Sequence, residues 1–397
     1  MKVSPTLLGN RIESLDMLRG FALLGIFIAN MLTFHSPYFY IDPHTYFSTP
    51  GDQFSYKIIS IFVEASFYPI FAMLFGYGLQ MQYEKSVVNK TPFAPIMAKR
   101  LAILMAFGLI HALFIWSGDI LFTYAIMGFI MIGVVRIPKK WLLPIALVVY
   151  LIPTFLLIGG TYFVTKMFPD DLMEGYSDIQ RIEQAITAYG HGSYVDALLF
   201  RIPEWLLIGL PAMFMGVFMV LPLIMLGAVF AKVKLFERAA QFKGRIALVT
   251  LLSFVVGIVI KSLPYLDEPT YYYKLTQQLI GGPILAIGYA GVILLLCQLP
   301  IFQKVFRPIS KAGRMSLTTY LTQSIVATLI FYNYGFGLYG KVDIETGTLM
   351  AIGIFILQVI FAELWLMKFK MGPFEWIWRK VTYGKNLTKK EEKVQVL

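Results

Sequence analysis

Charge is scarce in this 397-residue chain: only 14% of its residues are Asp, Glu, Lys or Arg, against roughly 25% in an ordinary soluble domain. Cysteine is scarcer still. The one thiol, Cys297, lies inside an apolar run, which excludes an internal disulfide framework and a cysteine-ligated metal cluster. The soluble-enzyme signatures are absent too, with no Walker loop, dinucleotide fingerprint, HExxH or GxSxG. Neither a low-complexity tract nor a repeat is visible, and no helix pair is clearly broken, so an inverted-repeat transporter gains no support.

What fills the chain is apolar: 58% of the residues are hydrophobic and the mean hydropathy is +0.69. Runs of about 20 apolar residues, each enough to cross a ~30 Å hydrocarbon core, fall at 17 to 34, 57 to 83, 101 to 117, 119 to 135, 141 to 164, 205 to 231, 246 to 264, 275 to 297, 315 to 333 and 348 to 367. They predict an all-α fold, a polytopic membrane helix bundle of about ten transmembrane helices. Residues 1–385 form the single membrane domain, followed by a charged tail at 386–397. The third and fourth runs are separated only by Ser117, Gly118 and Asp119, and a re-entrant pair is the alternative there.

The net charge of +11 belongs to a membrane surface and not to a nucleic acid, because of where it falls. Of the 34 basic residues, only Lys57, Lys166, Arg181, Arg201, Lys261, Lys274 and Lys341 lie on or near one side. The excess on the other side makes that side cytoplasmic, with both termini there. The first run follows Lys2, Arg11 and Arg19 but ends at Phe34-His35-Ser36-Pro37-Tyr38, so it reads as an uncleaved anchor. An acidic outer segment at about 166–204 carries Leu172, Ile179, Ile182, Ile186 and Tyr189 at helical spacing, predicting a surface helix whose apolar face rests on the membrane or on the bundle, either as a plain cover or as a lid over an outward-facing site.

Polar groups inside spans are costly and mark partners or cavities. With a rise of 1.5 Å per residue, Asn30 lies about 16 Å up the first helix from Arg19 and His111 about 18 Å up the third from Lys99. The same rise puts His35 near the outer mouth and Glu64 about 10 Å into an inward-running helix. Glu363 falls closer to the cytoplasm. Each of these has a bland reading as an interhelical hydrogen bond. At the cytoplasmic entrance, Asp16 and Arg19 stand three apart and side by side on one turn, with Ser14 as the expected cap. Lys99, Arg100, Lys311 and Arg314 add charge there that suits phosphates or lipid headgroups. In Phe75-Gly76-Tyr77-Gly78 the small residues favour close helix packing.

With those residues in view, the chain resembles the YeiB-like family of bacterial membrane proteins and, more distantly, the transmembrane acyltransferase superfamily. The resemblance covers nearly the whole length. It rests on Arg11 to Ile26 with Asn30, Leu74 to Gly78, Gly108 to Ala112 with Gly118 to Leu121 and Tyr124-Ala125, Gly313 to Leu321, and Gly372 to Trp376 with Trp378-Arg379. The first helix looks like the opening helix of membrane O-acetyltransferases and of heparan-alpha-glucosaminide N-acetyltransferase. Where the O-acetyltransferases carry a catalytic His, this chain has Asn30. The heparan-type enzymes share that Asn and use a later His, for which His35 and His44 are the counterparts, neither at the family's spacing. His111 is the rival base.

The resemblance implies an acyltransferase-like membrane fold in the bacterial inner membrane. It also implies acetyl or longer acyl-CoA as co-substrate, with no tightly bound cofactor and no metal. In that reading His35 or His111 is the base, Glu64 or Asp119 orients it, and Asn30 or Tyr124 supports the oxyanion. Arg11, Asp16, Arg19, Arg100, Arg314 and Tyr124 hold acyl-CoA. The bilayer, acyl-CoA and a hydroxyl- or amine-bearing acceptor are the partners, and a homodimer stays open. The alternatives are a small-metabolite transporter with a proton relay through Glu64, His111 and Glu363, or a non-catalytic scaffold.

Overall fold

The computed structural model describes residues 12–168, 177–266 and 270–384. Arg11, Leu172 and the tail at 386–397 lie outside them. The described residues fold as helices without strands. In chain order, besides the single-turn helices Tyr38–Tyr40 and Pro43–Tyr46, these are α1 Glu13–His35, α2 Pro50–Phe62, α3 Tyr68–Val88, α4 Phe93–Phe114, α5 Leu121–Val134 and α6 Lys139–Met167. There follow α7 Ile179–Ala185, α8 Tyr194–Lys232, α9 Lys243–Tyr265, α10 Tyr271–Leu296, α11 Pro300–Arg314, α12 Ser316–Phe331, α13 Ile344–Lys368 and α14 Pro373–Tyr383.

Among the described residues, seven helices are long and apolar enough to cross a membrane: α1, α4, α6, α8, α9, α10 and α13. Helices α3, α5 and α12 lie among them. At 14 residues, α5 measures about 21 Å, short of the ~30 Å core. In the connection before it, the Asp119 side chain is 0% exposed.

These helices alternate in direction along the chain, and hydrogen bonds identify the two ends. One end gathers Arg100 with Gln82 and Tyr383, Tyr77 with Glu237, Lys232 with the Val135 carbonyl, and Lys311 with Glu363. This is the basic end. At the opposite end Tyr40 reaches Glu204, Tyr38 reaches Glu64, and the amide of Gly340 donates to the His35 carbonyl.

Close backbone approaches set the packing. A Cβ on Gly76 would meet the carbonyl of Ile224, and one on Gly227 that of Met73. The two glycines therefore let α3 and the C-terminal half of α8 touch backbone to backbone, as the small residues near Phe75 predicted. Gly313 plays the same part against the Asp16 carbonyl where α11 crosses α1.

Three expectations need correction. The run at 57 to 83 is not one helix: α2 ends at Phe62 and α3 begins at Tyr68. Glu64 therefore sits in the break and not within a helix. Across that break Ala65 adopts a left-handed φ of 56°, and the Glu64 carbonyl accepts a 2.6 Å hydrogen bond from Lys261. A long-range partner thus replaces the bond that the helix gives up. Second, this single break makes one span discontinuous where the sequence offered no clear break, although it forms no broken pair among the described residues. Third, Ile12 and not Ser14 occupies the cap position of α1, with no side-chain capping bond.

The outer segment folds as α7, a π-helical turn at Ile186–His191 and the start of α8, which opens with a Ser193 and Asp196 capping box. Ile179 is exposed, whereas Ile182 and Ile186 pack inward and Tyr189 is buried. In the part described, the apolar face of α7 rests on the bundle.

Candidate functional site

A cavity of about 350 Å³ opens at the basic end between α1, α3, α4, α5, α12 and α14. Its rim is cationic, with Arg19, Lys85, Arg100, Arg314 and Arg379. Its throat is apolar, with Leu23, Ile26, Phe71, Phe75, Leu101 and Leu104. Tyr124 and Tyr320 stand at the deep end beside Ile120. From Pro92 to Leu104 along α4 is about 18 Å, so the cavity reaches well into the bundle.

The rim is built by local and long-range bonds together. Arg19 donates to Asp16 at 2.8 Å, the i,i+3 pair expected on α1. Arg100 donates to Gln82 at 2.6 Å and to the Tyr383 hydroxyl at 3.2 Å, with its guanidinium 4.5 Å over the Trp378 ring. Trp378 in turn donates to the Arg100 carbonyl at 2.9 Å. Arg314 reaches the carbonyl of Lys370. Helix α14 is thereby fixed across the mouth.

Glu375 anchors it. Its carboxylate accepts from the Leu317 amide at 2.7 Å, the Thr318 amide at 3.0 Å and the Thr318 hydroxyl at 2.6 Å. Glu375 therefore satisfies first-turn donors of α12 that the helix itself cannot. Burial pushes its carboxyl above the ordinary 4.5, and the hydrogen bonds from Thr318 and Leu317 oppose that shift.

Just beyond the deep end lies a buried acid and base. His111 Nδ1 is 2.8 Å from Asp119 Oδ2, with the two side chains 1% and 0% exposed. The other carboxylate oxygen of Asp119 accepts the amide of Phe122 at 2.8 Å, which fixes it at the start of α5. Gly108 leaves the room for this, since a Cβ there would lie 2.8 Å from Asp119 Oδ1. The carboxylate makes Nδ1 the protonated nitrogen and leaves the lone pair on Nε2. Nε2 is buried with no hydrogen-bond partner among the described residues.

The Tyr320 ring stands between this pair and the cavity, its centroid 5.3 Å from that of His111. Its hydroxyl accepts the Ile120 amide at 3.3 Å. Tyr124 instead donates to the Tyr68 carbonyl at 3.1 Å.

The structure thus brings Asp16, Arg19, Arg100, Arg314 and Tyr124 together on one cavity and places His111 and Asp119 behind its end. It does not bring Asn30, His35 or Glu64 there. His35 lies at the opposite end between Phe47 and Phe331, with ring centroids 6.2 and 6.0 Å away and neither ring nitrogen hydrogen-bonded among the described residues. Asn30 is half-buried on α1, and its carbonyl accepts from Thr33 at 2.7 Å. Glu64 accepts from Tyr38 at 2.5 Å near Lys261. His44 sits in the single-turn helix Pro43–Tyr46 beside Tyr56 and Tyr265, and burial there lowers its pKa below 6.5. Glu363 pairs with Lys311 at the basic end. The three members of the supposed proton relay are therefore separate pairs in separate places.

Nothing in the spacing of polar residues singled out Tyr320, Trp378 and Arg379 as cavity residues, although all three lie within the stretches that carry the family resemblance. Glu204 stood out in the sequence only as one acidic residue of the outer segment. That buried carboxylate accepts from the hydroxyls of Tyr40 at 2.8 Å, Ser117 at 2.7 Å and Tyr189 at 3.0 Å.

Residues 230–385 match the family described as "Protein of unknown function (DUF418)". The chain is 32% identical to the uncharacterized protein YxaH of Bacillus subtilis (strain 168), over 96% of each chain. It is 30% identical to an uncharacterized 39.9 kDa protein in the amylase 3'region of Bacillus acidopullulyticus, over 98% of this chain and 99% of that one. With the uncharacterized protein YeiB of Escherichia coli (strain K12) the identity is 29%, over 93% and 95%.

Proposed function

We propose, on the premise that this chain belongs to the YeiB-like family of bacterial membrane proteins, that it is a membrane acyltransferase taking its acyl group from acyl-CoA. The observation that carries this reading is the cationic, apolar-throated cavity ending one tyrosine away from the His111 and Asp119 pair. The basic end is then cytoplasmic, in the inner membrane. Arg19, Arg100, Arg314 and Arg379 suit the phosphates of CoA, and the throat suits the pantetheine arm and the acyl chain.

In the reaction, Nε2 of His111 takes the proton of the acceptor hydroxyl or amine as that group attacks the thioester carbonyl. Asp119 stabilises the imidazolium. The Tyr320 hydroxyl donates to the developing oxyanion, since its own proton has no acceptor among the described residues while that of Tyr124 is engaged. Collapse of the tetrahedral intermediate expels the CoA thiolate, which takes the proton back from His111 and leaves as the thiol. Movement of the Tyr320 ring joins cavity and imidazole.

A transport reading draws on the broken segment between α2 and α3, where Glu64 and Lys261 are buried together. The two are separated by melting the detergent-purified protein with acetyl-CoA and longer acyl-CoAs, using free CoA and ATP as controls. A saturable rise that is lost in Arg100→Glu or Arg314→Glu supports the acyltransferase. No response to any CoA species favours transport.

A further inference from the structure

At the end opposite the cavity, Arg201 of α8 is 0% exposed. Tyrosines enclose it: its guanidinium carbon lies 5.8 Å from the Tyr189 ring centroid and 5.7 Å from that of Tyr332. Tyr334 packs on Tyr332 and on Tyr194, and Tyr194 is 39% exposed, so one aromatic layer separates the cation from the surface. The Tyr334 hydroxyl approaches the guanidinium, yet among the described residues none of the three nitrogens, Nε, Nη1 or Nη2, has a hydrogen-bond partner of good geometry.

The expected partner is present and committed elsewhere. Glu204 follows at i+3, the spacing at which a helical carboxylate meets an arginine. Both its oxygens are taken by the hydroxyls of Tyr40, Ser117 and Tyr189. Lys261, as fully buried at the same end, shows the usual outcome, since it donates to the Glu64 carbonyl. A buried cation with its donor fork unused is strongly unfavourable unless an anion completes it.

We propose that Arg201 and its tyrosine cage form a binding site for a small carboxylate- or phosphate-bearing ligand on the face opposite the basic cavity. The planar fork matches either oxyanion in bidentate fashion, and the surrounding rings exclude competing water. The roof is the segment after α12, which carries Tyr332, Tyr334 and Tyr339. Gly337 and Gly340 there adopt left-handed φ values of 68° and 72°, and the Asn333 side-chain amide ties the segment to the carbonyls of His191 and Gly192 at 3.0 and 3.2 Å. Entry past Tyr194 and Tyr334 would reach the guanidinium.

The test is thermal melting of the purified full chain titrated with sodium phosphate and sodium acetate, with sodium chloride at matched ionic strength as reference. One oxyanion at least should raise the melting temperature saturably. The rise should vanish in Arg201→Gln and weaken in Arg201→Lys, which keeps the charge but loses the fork. The response to acyl-CoA at the other face should be unchanged in both variants, so this site and the acyltransferase reading stand or fall separately. A parallel titration with short-chain phosphatidylglycerol tells a lipid headgroup from a soluble anion. No rise in the wild-type protein with any of these anions, or an equal rise in Arg201→Gln, overturns the proposal. If Arg201→Gln does not fold, the wild-type and Arg201→Lys titrations decide.

Discussion

His111 owes its orientation to Asp119, and Asp119 owes its own to the Phe122 amide and to the space beside Gly108. His111→Gln should lower acyl transfer by about 100-fold or more, the usual contribution of a general base, while the melting response to acyl-CoA persists. Asp119→Asn should slow the reaction as well, by allowing the wrong tautomer. Loss of the acyl-CoA response in His111→Gln would instead make the pair part of the binding wall. Glu375 gives a pH signature. Its folded pKa is raised above 4.5, so its contribution to stability is full below that value and is lost as pH rises through the folded one. Melting temperature followed against pH should show this fall in the wild-type protein, and Glu375→Gln should lack that component of the slope.

Among the elements, α3 and α8 depend most on small residues. Gly227→Leu would force the α8 backbone away from Met73 and should cost about 1 to 3 kcal/mol or more of stability, read as a lower melting temperature with the acyl-CoA response retained in whatever folds. The long apolar helices were legible because their length and composition are local properties, and α1, α6 and α13 lie where their runs do. The break between α2 and α3 was not. Residues Phe62 to Phe67 contain neither Gly nor Pro, and what ends the helix is distant: Lys261 bonded to the Glu64 carbonyl, and Gly282 closing on the Ala65 carbonyl. Pro69, at the first turn of α3, was the one local sign.

At the scale of the molecule, the orientation rule put Arg19, Arg100 and Arg314 on one side and the family resemblance grouped them with Asp16; all four line the cavity. The same count registered Arg201 only as one of a few basic residues on the other side, because burial and the diversion of Glu204 are tertiary facts. Side-specific labelling tests the arrangement: in a Cys297→Ser background, Lys140→Cys should react only from the cytoplasm and Glu345→Cys only from outside. Labelling of both from one side would refute the alternating topology. The cavity is also shared between the two halves of the chain. Residues matched by the family model, 230–385, supply Arg314, the first turns of α12 with Tyr320, and α14, and the earlier helices supply the rest. Because Glu375 holds the first turn of α12 from α14, these two helices are interlocked against the order of synthesis. As the ribosome delivers the chain, α12 enters the bilayer with its leading amides open, and they close only after α13 has crossed and α14 has emerged. The mouth of the cavity is therefore among the last parts of the protein to form.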